Sequence, residues 1–364
     1  MSKTSHRIFI SDCEGPISKN DNAFELATHF VPQGDSFFTL ISRYDDILAD
    51  IVKEPGYKAG DTLKLILPFL KAYGATNQGI IKYSSKNVLL VPGAKSMLQF
   101  VRAIMPSFIV STSYEQYMRA LCSLINFPYE NVYCTRLDID KYKLDEKERE
   151  RLKQLRKEMS ALPMFKIPKN ARSLQDFPTQ HQRAIKKLDQ VFWEEIDKME
   201  IGKILNEINP VGGYEKAEGI RRITARLGNT LSNVMYVGDS ITDVSAFQLI
   251  RKEEGLTISF NGNEYAVREA EIAVLSKNAV VTAVLADTFS KFGKNGVFKL
   301  VKEWNHQGFQ RYGVDSSLQE HALELYPERL PQVEMITLDN NERLIKESSA
   351  FRKTVRGEVI GKLG

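Results

Sequence analysis

Short apolar runs that stop abruptly at a polar or turn-forming residue punctuate the chain. Ile8-Phe9-Ile10-Ser11 ends at an acid followed by Gly15-Pro16, and Ser107-Phe108-Ile109-Val110 ends at Ser111-Thr112-Ser113. Asn131-Val132-Tyr133-Cys134 is a third run, Asn233-Val234-Met235-Tyr236-Val237 ends at Gly238-Asp239, and Leu256-Thr257-Ile258-Ser259-Phe260 is a fifth. Runs this short, rich in β-branched and aromatic residues, predict strands buried on both faces. Between them, apolar residues recur at helical spacing over 94–104, 114–125, 215–227 and 242–250. Strands alternating with amphipathic helices predict a parallel sheet covered on both sides, a three-layer α/β/α domain. In such a sheet the residues just past the carboxyl ends of the strands face the ligand crevice. Asp12, Ser111 and Asp239 all fall at such ends.

Two stretches interrupt the alternation. Residues 20–91 are mostly helical in pattern, over 36–52 and 62–73 for example, and end at Leu90-Val91-Pro92-Gly93. Residues 138–210 are rich in Lys, Arg and Glu; 144–159 reads as a solvated helix, and Pro163, Pro168 and Pro178 break the pattern before a helical stretch over 181–208. The expected organisation is therefore a core of 1–19, 92–137 and 211–291, two helical inserts at 20–91 and 138–210, and a C-terminal extension at 292–364.

Composition narrows the possibilities. A chain of 364 residues with 43% hydrophobic and 26% charged residues is an ordinary globular protein. The net charge of +4 permits an acidic substrate and gives no case for nucleic acid. Three cysteines without a CxxC pair suggest neither a disulfide framework nor a zinc site, and Cys13, with no His or Cys beside it, reads as an inert thiol. No run approaches the ~20 apolar residues of a membrane span, and the amino end carries no apolar signal, so a cytoplasmic location is expected. The Gly212-Gly213 pair lacks the spacing of a dinucleotide loop, and no GxxxxGK[ST] loop is present.

Four segments together resemble a known family. Ile8 to Pro16, with Asp12-Cys13-Glu14-Gly15-Pro16, is similar to the first motif of the haloacid dehalogenase (HAD) superfamily, an apolar strand followed by Asp-x-Asp-Gly-Thr. Phe108-Ile109-Val110-Ser111 resembles the second motif, Lys216 after Gly212-Gly213-Tyr214 the third, and Val234 to Asp243, containing Gly238-Asp239 and Asp243, the fourth. The approach Leu90 to Ala94 and the later Ser259-Phe260-Asn261-Gly262 resemble the phosphoserine-phosphatase-like branch. The Asp-Cys-Glu-Gly-Pro stretch is also similar to that of an archaeal group named alongside energy-converting hydrogenase subunits.

The resemblance implies a HAD-like Rossmannoid sheet with 20–91 as a helical cap and 138–210 as a second cap or an interaction module. It also implies a soluble Mg²⁺-dependent phosphatase acting through an aspartyl-phosphate on a small phosphorylated metabolite. Asp12 would be the nucleophile and a metal ligand, and Glu14 the acid, its backbone carbonyl also touching the metal. Ser111, with Thr112 or Ser113 as substitutes, and Lys216 would bind the phosphoryl group. Asp239 would ligate Mg²⁺, with Asp243 as a further ligand or a partner behind it. Glu14 stands where most phosphatases of the family have Asp, and Pro16 where they have Thr. Glu and Asp have similar reference pKa values, but the extra methylene shifts the carboxyl by ~1.5 Å, so either a site reshaped around Glu14 or a weakened enzyme is expected. The alternatives are a binding or assembly subunit with little turnover, whose protein partner would use 138–210 or 292–364, and a phosphotransferase or mutase.

Overall fold

The computed structural model describes residues 7–54, 56–168, 171–358 and 360–362. Seven strands form one sheet: β1 Ile8–Ser11, β2 Ser107–Tyr114, β3 Val132–Thr135, β4 Val234–Gly238, β5 Leu256–Phe260, β6 Ile272–Leu275 and β7 Gln332–Met335. Their order is β3-β2-β1-β4-β5-β6-β7, with β1 to β6 parallel and β7 antiparallel to β6. All five strands expected from the sequence are present, and β2 runs on through the polar Ser111-Thr112-Ser113 to Tyr114. The all-parallel expectation is corrected at one edge. The C-terminal extension supplies β7, whose half-buried Gln-Val-Glu-Met pattern suits a strand with one solvated face.

Ten helices matter for the site: α1 Asn22–Phe30, α2 Gly34–Asp46, α3 Ala94–Ile104, α4 Glu115–Ile125, α5 Glu146–Ser160, α6 Thr179–Asp189, α7 Tyr214–Arg226, α8 Val244–Lys252, α9 Val280–Lys302 and α10 Asn341–Arg356. Side chains alternate across the strands. Phe9, Ile109, Met235 and Ile258 therefore join α3, α4 and α9 on one face, while Ile8, Ile10, Phe108 and Tyr236 join α7 and α8 on the other. The result is the expected three layers.

The two inserts pack as one body. Phe37, Tyr44 and Phe69 of the first share an apolar core with Leu152, Leu155 and Phe192 of the second. Tyr44 donates to Asp189 at 2.6 Å across the boundary. The 144–159 pattern, read as solvated, is instead an amphipathic helix α5 that buries Leu152, Leu155 and Met159 in this core. Its apolar stripe is narrow and diluted by charges, which hid it. The helical stretch read over 181–208 is broken: α6 ends at Asp189, and a π-helical turn and short 3₁₀ pieces follow.

After β7 the extension folds back over the core. Leu344 and Ile345 of α10 pack on Val267, Ala273 and Leu275, and Ser348 Oγ donates to the Gly262 carbonyl at 2.6 Å. That docking carries the last turns of α10 to the carboxyl end of β4. Among the described residues, no helix is long and apolar enough to cross a membrane.

Candidate active site

Because β1 lies between β2 and β4, the residues that follow these three strands meet at one point. The chain turns to opposite sides of the sheet at this strand, so a crevice opens there. Asp12 is anchored at the crevice by its backbone N–H, which donates to the Val237 carbonyl of β4 at 2.8 Å. Its carboxylate is held at both oxygens: Cys13 N–H donates to Oδ1 at 2.6 Å and Lys216 Nζ to Oδ2 at 2.7 Å.

Lys216 enters from the first turn of α7, has no exposed surface, and also donates to Asp243 Oδ1 at 2.7 Å. Asp243 accepts further from Tyr236 Oη at 2.6 Å and, on Oδ2, from the N–H groups of Asp239 and Ser240 at 2.8 and 3.0 Å. Both of its oxygens are thus occupied by protein donors. Asp243 holds Lys216 and the Asp239 turn in place. The carboxylates of Asp12, Asp239 and Asp243 offer oxygens that all lie within 4.8 Å of one another.

Glycines make this closeness possible. A Cβ on Gly15, whose φ is +98°, would sit 2.1 Å from Asp239 Oδ2. One on Gly238 would sit 2.5 Å from Asp243 Cγ. The chain after Glu14 therefore lies directly against the Asp239 carboxylate, which only a residue without a side chain allows.

Glu14 lies at the same crevice. Its Oε1 accepts from Ser113 Oγ at 2.7 Å and from the N–H of Asn22, the first residue of α1, at 2.8 Å. The Glu14 side chain thereby ties the end of β1 to both β2 and the start of α1. Of the expected phosphoryl-binding hydroxyls, Thr112 lines the crevice and its Oγ1 is buried without a partner. Ser111 is buried, with its Oγ accepting from Ser113 N–H at 3.2 Å, and neither it nor Lys216 is part of the crevice wall. Facing the core residues across the crevice stand Phe38, Ser42, Asp45 and Asp46 of α2, followed by Gly60, Thr62 and Leu63, all from the first insert.

Two further residues escaped the sequence reading. Arg352 and Arg356, one turn apart on α10, both donate to Asp239 Oδ2, the latter at 3.1 Å, with side chains only 3% and 4% exposed. Arg356 also donates to the carbonyls of Lys19 and Asn20, and Arg352 to that of Asp239. A signal exists in retrospect. Leu344, Ile345, Ser348 and Arg352 form a single helical stripe in which the apolar residues give way to a cation. Nothing in the local sequence says where that stripe docks.

Burial dominates the electrostatics. It raises the Asp12 carboxyl to about 7, with Lys216 opposing and Asp243 and Asp239 adding to the rise. It raises Glu14 to about 8, with Asp21 adding and Arg356 opposing. Burial disfavours the Lys216 ammonium, but Asp12 and Asp243 together outweigh it and hold the proton on more firmly than usual. Burial, then Glu14 and Asp12, push the Cys13 thiol well up, in keeping with an inert residue.

Several known proteins are similar to this chain. A family model described as haloacid dehalogenase-like hydrolase matches residues 102–287. The solved gene product AF1437 from Archaeoglobus fulgidus is 27% identical, superposes over 99% of either chain and gives a TM-score of 0.79. The phospho-aspartyl intermediate analogue of phosphoserine phosphatase, at 13% identity, covers 76% of this chain and 96% of its own with a TM-score of 0.46, a distant likeness. Among curated proteins, the 5-amino-6-(5-phospho-D-ribitylamino)uracil phosphatase YcsE of Bacillus subtilis (strain 168) is 28% identical over 98 residues, and the chain spans only 32% of that relative. With the family model matching just over half of its length, the chain belongs to the haloacid dehalogenase-like hydrolases.

Proposed function

We propose that the chain is a Mg²⁺-dependent phosphomonoester hydrolase that works through an aspartyl-phosphate at Asp12. The observation that carries this reading is the convergence of Asp12, Asp239 and Asp243 within 4.8 Å, with Lys216 bonded to two of them. Carboxylate oxygens are the donors a hard divalent cation takes. With Glu14 protonated, four carboxylates at and just behind the crevice, Asp12, Asp21, Asp239 and Asp243, stand against three cations, Lys216, Arg352 and Arg356. The excess of negative charge favours a divalent cation at this point. Asp12 and Asp239 would hold it, and bound there it would offset charge on the phosphoryl oxygens.

The chain's own groups account for the rest. A carboxylate oxygen of Asp12 attacks phosphorus, forming the acyl phosphate as the ester P–O bond breaks. Glu14, with a pKa of about 8, holds a proton near neutrality. Since its Oε1 is taken by two donors, the proton sits on Oε2 and passes to the departing alkoxide. Glu14, now a carboxylate, takes a proton from the water that attacks the acyl phosphate, releasing inorganic phosphate and restoring Asp12. Thr112 Oγ1 is free to donate to a phosphoryl oxygen. The 20–91 insert acts as the cap: its α2 face covers the crevice, excludes water and contacts the leaving group. The substrate is a small phosphorylated metabolite.

The test is Mg²⁺-dependent release of inorganic phosphate from a panel of phosphomonoesters. Wild type releases phosphate and Asp12→Asn does not. Equal rates in the two would overturn the reading.

A further inference from the structure

Asp239 is one of the two carboxylates to which this reading assigns the cation, yet its Oδ2 carries two buried guanidinium groups from the C-terminal extension. The family match ends at residue 287, so both arginines lie outside the segment that defines the family. We infer that Arg352 and Arg356 are active-site residues supplied by α10, and that they compete with the divalent cation for Asp239. The inference rests on the Mg²⁺ reading above.

Two opposite roles are physically open to a donor bonded to a metal-binding carboxylate. It can orient the carboxylate and strengthen binding. It can also lower the carboxylate's donor strength and repel the incoming cation. The geometry favours repulsion. Asp239 is already confined without the arginines: the Gly15 backbone lies against its carboxylate, and its own N–H and carbonyl are bonded to Asp243 Oδ2 and Asn263 N–H. Two full positive charges add little orientation to a group so held, and they act on an ion of the same sign at close range. Both arginines also keep acceptors when they leave Oδ2. Arg356 retains the carbonyls of Lys19 and Asn20, and Arg352 that of Asp239. Glu14 and Asp21 remain close to Arg356 as well. A cation can therefore displace the guanidinium groups from the Asp239 carboxylate while Asp21, which lies near both arginines, still faces their charge. In the cation-free protein, α10 neutralises Asp239. In the loaded protein that task passes to the metal.

The experiment titrates Mn²⁺, as a spectroscopic substitute for Mg²⁺, into the full-length chain and reads the free ion by electron paramagnetic resonance, with no substrate present. Arg352→Gln and Arg356→Gln each bind Mn²⁺ at least about tenfold more tightly than wild type, equivalent to about 1.4 kcal/mol. Arg352→Lys, which keeps the charge but not the forked geometry, stays near the wild-type affinity. An unchanged or weaker affinity in both glutamine variants overturns the competition. So does an Arg352→Lys that behaves like Arg352→Gln, because geometry rather than charge would then be the cause. Should Arg352→Gln fail to fold, Arg356→Gln and Arg356→Lys make the same comparison. Asp239→Asn is the control that loses the ion. If wild type and every variant bind no Mn²⁺, the metal reading itself falls, an outcome distinct from binding that ignores the arginines.

Discussion

The single residue that separates this site from a generic one is Glu14. Its carboxyl reaches Ser113 at the end of β2 and the N–H of Asn22 at the start of α1. Its protonation sets a pH dependence. Because burial raises its carboxyl to about 8, the proton needed for leaving-group departure is present below that pH and lost above it. Glu14→Gln, which has no acidic proton, lowers kcat by ~10²–10⁴-fold, the usual range for a general acid, and removes the alkaline limb of the pH–rate profile. A profile whose alkaline limb survives in Glu14→Gln assigns the acid elsewhere. The neighbouring Gly15 makes a sharper prediction. Its φ is +98°, and a side-chain carbon there would stand only 2.1 Å from Asp239 Oδ2, so the site has no room for a methyl group. Gly15→Ala displaces the Asp239 carboxylate, and since misplacement of ~1 Å costs on the order of 10²-fold, phosphate release falls by about that factor. Steady-state kinetics beside a melting curve distinguishes this from simple unfolding.

At the level of elements, legibility follows the range of the forces involved. β1, β2, β4 and β5 are readable because burial on both faces demands continuous apolar runs, and the polar residue at each carboxyl end marks the crevice. Asp12, Asp239 and Asp243 are legible for this reason, helped by their spacing. β7 is not: four residues with one solvated face carry too weak a pattern, and its pairing with β6 is a long-range event. The same holds for α10. Its charged exterior resembles any surface helix, and only docking through Leu344 and Ile345 gives Arg352 and Arg356 their meaning. The union of the two inserts is hidden for a related reason, since α5 shows only a thin stripe of Leu152, Leu155 and Met159. This dependence is testable. Leu344 is fully buried in a small satellite cluster. Leu344→Ala costs about 2–4 kcal/mol, typical for a buried leucine, and the loss falls on the docking of α10. Hydrogen exchange then shows 341–356 opening well before β1, β2 and β4. Uniform loss of protection across the sheet would mean that α10 and the core unfold as one unit.

For the molecule as a whole, the crevice concentrates acids whose charged forms folding disfavours. Burial raises Asp12 and Asp45 to about 7, Asp46 to about 6 and Glu14 to about 8. An acid whose folded pKa lies above its unfolded value binds its proton more tightly in the native state. The stability it contributes is complete below the unfolded pKa, near 4, and is lost as pH rises through the folded one. All four groups act in the same direction between about pH 5 and about pH 8. The Asp243 carboxyl, where burial works against the charge but Lys216 prevails, is lowered and acts only at more acid pH. Without divalent cations the melting temperature therefore falls as pH rises from about 5 to about 8, by ~1–3 °C, the shift expected for one to two kcal/mol in a chain of this size. Mg²⁺ reverses the trend at its alkaline end, because binding to the ionised Asp12 and Asp239 stabilises only the native state. Melting curves at each pH, in chelator and in excess MgCl₂, check both halves. A melting temperature that rises with pH in chelator would mean that the acids at this crevice are already compensated within the fold, and would remove the electrostatic reason for a cation to bind there.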